Sequence, residues 1–247
     1  MQVRRLSWAG IEVSAEDQRL LIDPLENVSS FQELLGGPLW PVVPVAATAS
    51  GTNALITHKH PDHFDAELLR HMVKKDGRVY CPETMAPEVR RAGLEAVGIQ
   101  SWQTVQIGAF EVTAVPAVDW QGDDQVSWVV RHLGQQIFHG GDTMWHGSWW
   151  NIAKRFGGFE AAMLPVNGVI VQFPGMQPTP FPATLTPEQA TVAARLLEAK
   201  ILCPIHYGQF NHPPVYQEQT SIESRLKNSA ESEGVHVELI GDGERIV

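Results

Sequence analysis

The chain has 247 residues, 43% of them hydrophobic and 19% charged, with a formal net charge of −10. That length and balance suit one large α/β domain or two small ones around a buried core, and they exclude a disordered chain. The negative charge argues against nucleic acid as the main partner, because a polyanion is met by a basic surface.

Two cysteines, Cys81 and Cys203, give no disulfide framework and fit reduced thiols in a cytosolic protein. The N-terminal residues lack the unbroken apolar core of a signal peptide, and no stretch reaches the roughly 18 apolar residues of a membrane span. The expectation is a cytoplasmic protein without a membrane anchor.

In chain order, "QVRRLSWAGIEVSAEDQRLLIDP" alternates like two strands joined by a polar turn at Ala15 to Gln18. Residues 26–53 read as a long loop with one short helix and with Phe31 and Trp40 exposed; loops this long inside compact domains are usually functional or disordered. "NALIT" is a strand, and "DAELLRHMVKKDG" a helix capped by Asp65 and ended by Gly77. "RVYCP" is a strand and "PEVRRAGLEAVG" a helix. Two strand pairs follow, turning at Gly108 and Gly134. "SWWNIAKRFGGF" is helical and "EAAMLPV" a strand. "TLTPEQATVAARLLEAK" starts with a capping box of Thr186 and Gln189 and has Pro187 at its first position. "ILCPIHYG" is a strand, and the tail from Ser229 holds a last one. With no repeat or low-complexity linker, a single domain over residues 1–247 is expected, with packed sheets and helices outside.

The chemistry concentrates in "THKHPDH". His58 and His60 stand at i and i+2, so an extended backbone puts both on one face. Asp62 and His63 lie on the turn into the next helix and aim at a second point nearby. Imidazole and carboxylate are common ligands of zinc and similar ions, and adjacent sites on one short loop suit a two-metal centre. Further ligands are offered at three strand ends: Asp119 in "VPAVDW", Asp142 in "FHGGDT" and His206 in "PIHYG". Neither a G-x-S-x-G elbow nor a Walker-type phosphate loop is present.

In "THKHPDH", "GGDT" and "IHYG", in this order, the chain resembles the metallo-β-lactamase superfamily of metal-dependent hydrolases, from "LLIDP" to "PIHYGQF". "PAVDW", "GGDTMWHGSW", "LPVNG", "LTPEQA" and "HYGQF" look most like the branch of ascorbate-6-phosphate lactonases and N-acylphosphatidylethanolamine phospholipase D. The resemblance implies a four-layer αββα sandwich with two divalent metal ions at one edge. His58 and His60 would bind one ion, Asp62, His63 and His206 the other, and Asp142 would bridge them. Asp62 and His206 are also the candidate catalytic residues, Asp62 by orienting the attacking water.

The branch pattern usually reads "PAxHW", and here Asp119 stands at the histidine's place as the remaining ligand. A harder, anionic donor shifts preference from zinc toward manganese or iron, or leaves the first ion weakly held. The implied activity is hydrolysis of a small-molecule lactone, phosphoester or phosphodiester by a metal-activated water. Alternatives are a nuclease-like phosphodiesterase, for which the basic residues are too scattered, and a non-catalytic metal- or metabolite-binding relative. Lactonase-like relatives suggest a homo-oligomer.

Other residues carry two readings. Asp23 is either a turn residue or, as the resemblance favours, a buried acid orienting a ligand. His146 and the group Trp145, Trp149 and Trp150 suit either a pocket or packing, and Trp120 a pocket wall. His139, Trp8, Trp102 and Trp128 fit the core better, as do Cys81 and Cys203. His212 is a candidate for the pocket rim. Related enzymes carry a histidine shortly before the "TPEQA" helix, where this chain has Ala183 and Thr184, so substrate contacts there do not transfer.

Overall fold

The computed structural model describes residues 1–46, 52–73 and 76–247. One six-stranded sheet contains, in spatial order, β1 (Gln2–Arg5), β2 (Ile11–Ala15), β3 (Gln18–Ile22), β4 (Thr52–Leu55), β5 (Val79–Pro82) and β6 (Ala96–Ile99). The second runs β13 (Leu202–Ile205), β11 (Ala161–Pro165), β10 (Gln135–His139), β9 (Val126–His132), β8 (Phe110–Pro116) and β7 (Thr104–Ile107). A ribbon of β12 (Ile170–Val171) and β14 (Tyr216–Gln217) stands apart. The helices are α1 (Gln32–Leu35), α2 (Ala66–Met72), α3 (Ala86–Arg91), α4 (Trp149–Phe156), α5 (Pro187–Leu196) and α6 (Ile222–Glu233).

Alternation along the strands builds the layers. Val13, Ile22 and Leu55 from the first sheet share one core with Trp128, Val130, Met163 and Cys203 from the second. Their neighbours point outward. Ala54, Val79 and Cys81 pack under Leu69 and Val89 of α2 and α3. Val129, Ala162 and Leu164 pack under Ile152, Ala190 and Leu226 of α4, α5 and α6. The arrangement is the expected four-layer αββα sandwich. α5 carries both halves of its capping box, with Gln189 N–H donating to Thr186 Oγ1 and the Gln189 side chain accepting from the Thr186 N–H.

Several local readings are corrected. The opening segment forms three strands, because Leu6 to Gly10 is a second tight turn, closed by Leu6 and Gly10 amides bonding Gly10 and Ser7 carbonyls. The helix from Pro87 stops at Arg91; Gly93 takes φ 81°, and Val97 and Ile99 then pair in parallel with β5. The tail makes only isolated bridges at Val237 and Arg245. α6 overlaps the start of that tail and shows no clear sequence period, because its buried face is a single residue per turn, Ile222, Leu226 and Ala230. Phe31 is buried rather than exposed. Residues 47–51 of the long loop and 74–75 of the α2 reading lie outside the described residues.

Candidate metal centre

Every acidic or histidine candidate follows the C-terminal end of a strand. Asp23 follows β3, the "THKHPDH" loop follows β4, and Asp119, Asp142 and His206 follow β8, β10 and β13. β3 and β4 are parallel, as are β10, β11 and β13, so these ends gather at one rim of the sandwich. Asp65 fastens the loop from behind: it caps α2 through Leu68 N–H at 2.9 Å and accepts from the Glu26 and Asn27 amides.

Two groups of side chains result. Ligand-type atoms of His58, His60, Asp119 and Asp142 lie within 4.8 Å of one another, and so do those of Asp62, His63 and His206. Asp142 Oδ2 stands between the groups, 3.7 Å from His58 Nε2 and 3.8 Å from His63 Nε2. All seven residues expected from the sequence are therefore brought together.

Each side chain is held by a partner on its far side. Asp23, wholly buried, accepts from Thr57 N–H at 2.8 Å, Thr57 Oγ1 at 2.6 Å and His63 Nδ1 at 2.8 Å. With that proton spent on Asp23, the Thr57 hydroxyl accepts from His58 Nδ1 at 3.0 Å. The Nε2 atoms of both histidines then face the cluster. His60 has Nδ1 3.7 Å from Asp119 and Nε2 3.2 Å from Asp123. Gln125 Nε2 donates to Asp142 Oδ1 at 2.7 Å. Such outer partners fix ligand orientation and tautomer.

Asp119 is built as a one-oxygen donor. Its Oδ1 accepts the amides of Gln121 at 2.8 Å and Asp123 at 3.1 Å, an Asx-type turn. Its Oδ2 is buried with no hydrogen-bond partner. Gly141, at φ 64°, lets the backbone pass this locus; a Cβ there would meet Gln125 Nε2 at 2.9 Å and Thr57 Cβ at 3.1 Å.

Trp8, read from the sequence as core, serves the site as well. Its indole N–H donates to Asp62 Oδ2 at 3.0 Å, its ring lies 3.9 Å from that of His206, and its carbonyl accepts the His206 amide at 3.1 Å. Trp8, Asp23 and His206 all take positive φ, at 59°, 44° and 56°. Non-glycine residues held there cost about 1–3 kcal/mol each and cluster at functional sites. Trp8→Phe keeps most of the packing and deletes the donor. Titration with a zinc-sensitive dye is expected to show affinity weakened about 10–100-fold at the Asp62 group. The accompanying loss of stability is about 1–2 kcal/mol, from the smaller ring. Unchanged affinity would reduce Trp8 to packing.

The charges call for a cation. Burial pushes the Asp119 carboxyl up, and the neighbouring Asp142 charge pushes it further. Burial acts to lower His63, but Asp62, Asp23 and Asp142 outweigh it and raise it to about 10. Burial drives His58 down to about 3, against the pull of Asp142. The buried Nε2 atoms of His58, His63 and His206 have no hydrogen-bond partner, like Asp119 Oδ2. Each unpaired buried polar atom costs about 1–3 kcal/mol. The cluster carboxylates hold a proton on His63 that a divalent ion would displace; imidazoles and carboxylates converging on one point are the donor set of such a metal, and the residues present fit one.

A cavity of about 270 Å³ opens over these groups, with His60, Asp62, Asp142 and His206 in its lining. Trp120 lines it, as the sequence suggests. Trp145, Trp149 and Trp150 do not: Trp149 is buried in the outer core, Trp145 packs against it and Trp150 is exposed. His146 stacks on Trp149 at 4.6 Å and is likewise not part of this lining. His139 bonds the Ala9 carbonyl at 2.8 Å and lies behind the site, while His212 bonds the Leu34 carbonyl without lining the cavity. Gln125, Asp123 and Tyr216 had no sequence signal; Thr57 had only its place beside the motif.

A family model for the beta-lactamase superfamily domain matches residues 18–207. The chain belongs to that family. Its relatives include the mitochondrial N-acyl-phosphatidylethanolamine-hydrolyzing phospholipase D of Saccharomyces cerevisiae, 26% identical over 78% of this chain but only 44% of that longer protein. The UPF0173 metal-dependent hydrolase of Thermococcus kodakarensis is 26% identical over 87% of each chain. Among solved structures, the metallo hydrolase Igni18 of the archaeon Ignicoccus hospitalis shares the fold with a TM-score of 0.72 at 17% identity, over 99% of this chain and 97% of that one. Among the described residues, no helix is long and apolar enough to cross a membrane.

Proposed function

We propose that the protein is a metal-dependent hydrolase of a small-molecule lactone, phosphoester or phosphodiester. His58, His60 and Asp119 would hold one divalent ion, Asp62, His63 and His206 a second, with Asp142 shared. The observation that carries this reading is Asp142 Oδ2, standing 3.7 and 3.8 Å from Nε2 atoms of both groups. The names of the yeast and Thermococcus relatives support hydrolysis.

Divalent ions at this locus, zinc, manganese or iron, would supply Lewis acidity, acidifying water and polarising a carbonyl or phosphoryl oxygen. The chain's own residues do the positioning. Trp8 fixes Asp62 through Oδ2, which leaves Oδ1 to orient the attacking water. Asp23 and Thr57 hold His63 and His58 in the tautomers that present Nε2. Two buried, unpaired cysteines agree with a cytoplasmic setting.

The test is elemental analysis of protein purified without chelator. About two ions per chain are expected for the wild type, falling to about one in Asp119→Ala and restored in Asp119→His. A wild-type count of one that Asp119→Ala leaves unchanged would overturn the assignment of Asp119 and the two-ion reading with it.

A further inference from the structure

The cavity over the site has its own chemistry. Phe31, Leu34 and Leu35 line it together with Trp120, Phe173 and Val171, and the rings of Trp120 and Phe173 meet edge to face at 5.8 Å. Among the described residues no lysine or arginine lines it. The nearby Lys59 is spent on Asp123 at 2.8 Å and is not part of the lining.

The polar groups outside the ligand set are mostly engaged. Thr184 Oγ1 donates to Asn167 Oδ1 at 2.5 Å, and Asn167 Nδ2 donates to the Tyr216 hydroxyl at 2.9 Å. Asp62, Asp119 and Asp142 already bring carboxylate charge to the cluster, with Asp23 and Asp123 behind it. Two divalent ions would offset the three cluster carboxylates, so a phosphate monoester's charge of about −2 would be met at the ions alone, with no side-chain cation in the wall to hold its outer oxygens. A neutral ester adds no charge, and its apolar body is what aromatic and aliphatic walls bind.

We infer that the cavity takes a neutral acyl compound, an ester or lactone with an apolar body, and discriminates against anionic phosphoesters. This rests on the hydrolase reading for the bond cleaved, though not for the preference in binding. At about 30 Å³ per water-sized group, 270 Å³ holds at least about nine non-hydrogen atoms. In the reaction the water oxygen bonds to the acyl carbon. The acyl–oxygen bond breaks with its electron pair on the leaving oxygen, which takes one water proton, and the products are a carboxylic acid and an alcohol.

The test uses calorimetric binding of 5-alkyl-2-pyrrolidinones, methyl to decyl, to the zinc-loaded protein, lactams being slow to hydrolyse. Each methylene should tighten binding about fourfold at least until about nine atoms are placed, at the propyl compound. Phe173→Arg should remove most of the octyl compound's advantage over the methyl compound. Turnover is compared on 4-nitrophenyl octanoate, 4-nitrophenyl phosphate and bis(4-nitrophenyl) phosphate, with kcat/KM expected at least about 100-fold higher for the ester. Affinity independent of chain length, or faster turnover of either phosphoester, overturns the inference. A chain-length slope with no turnover of any ester, lactone or phosphoester overturns the hydrolase reading and leaves the binding preference standing.

Discussion

Asp142→Asn is expected to lower kcat/KM by at least about 10³-fold and to cut bound metal from about two ions to below one. The reason is geometric. Gln125 donates to Oδ1, so an asparagine would turn its carbonyl oxygen toward Gln125 and its amide nitrogen toward His58 and His63. That nitrogen donates and does not ligate. The fold should survive, because the substitution also removes the carboxylate that pushes Asp119 upward. Elemental analysis, steady-state kinetics and a melt in chelator check all three parts. Retained metal with a tenth or more of the activity would show that Asp142 does not join the two groups.

Asp23→Ala is expected to lower Tm by about 10 °C. The change strips the acceptor from the Thr57 amide, the Thr57 hydroxyl and His63, all buried. Removing one partner of a buried charged network costs about 3–5 kcal/mol, and a chain of this size loses about 2–4 °C per kcal/mol. Burial works to raise the Asp23 carboxyl, yet His63 holds it below the ordinary carboxylate range, so the acid is ionised and engaged at neutral pH. Asp23→Asn keeps one acceptor and one of the few side chains that tolerate φ 44°, and should fall between the wild type and Asp23→Ala. A melt of Asp23→Ala within 2 °C of the wild type would leave Asp23 a simple turn residue.

The candidate ligand cluster is legible in the sequence because its nucleus is local. His58 to His63 share one loop, and the spacing of a strand end converts order along the chain into direction in space. Asp119, Asp142 and His206 were found by the same logic at three other strand ends. The partners behind them were not, because their pairing is long-range and carries no period. Trp8 meets Asp62 across 54 positions, and Gln125 meets Asp142 across a hairpin. For Trp145, Trp149 and Trp150 the sequence leaves pocket and packing open for a related reason; α4 turns its apolar face to the outer core, which takes Trp149 and Trp145, and Trp150 is exposed. Strongly periodic elements such as α5 were read correctly. The end of the six-residue α3 and the whole of the one-sided α6 have periods too short or too sparse to fix.

The left-handed backbone at Trp8, Asp23 and His206 bears on how this protein can be improved. Glycine is the usual remedy for a residue forced to positive φ, and such replacements are among the easy gains open to stability engineering. Here the remedy is closed. Each of the three side chains is buried and holds a bond or faces the cluster, so glycine at any of them would cost stability as well as function. A library selected for thermal tolerance alone would leave Trp8 and Asp23 in place, because the side chains that serve the site are also buried parts of the fold.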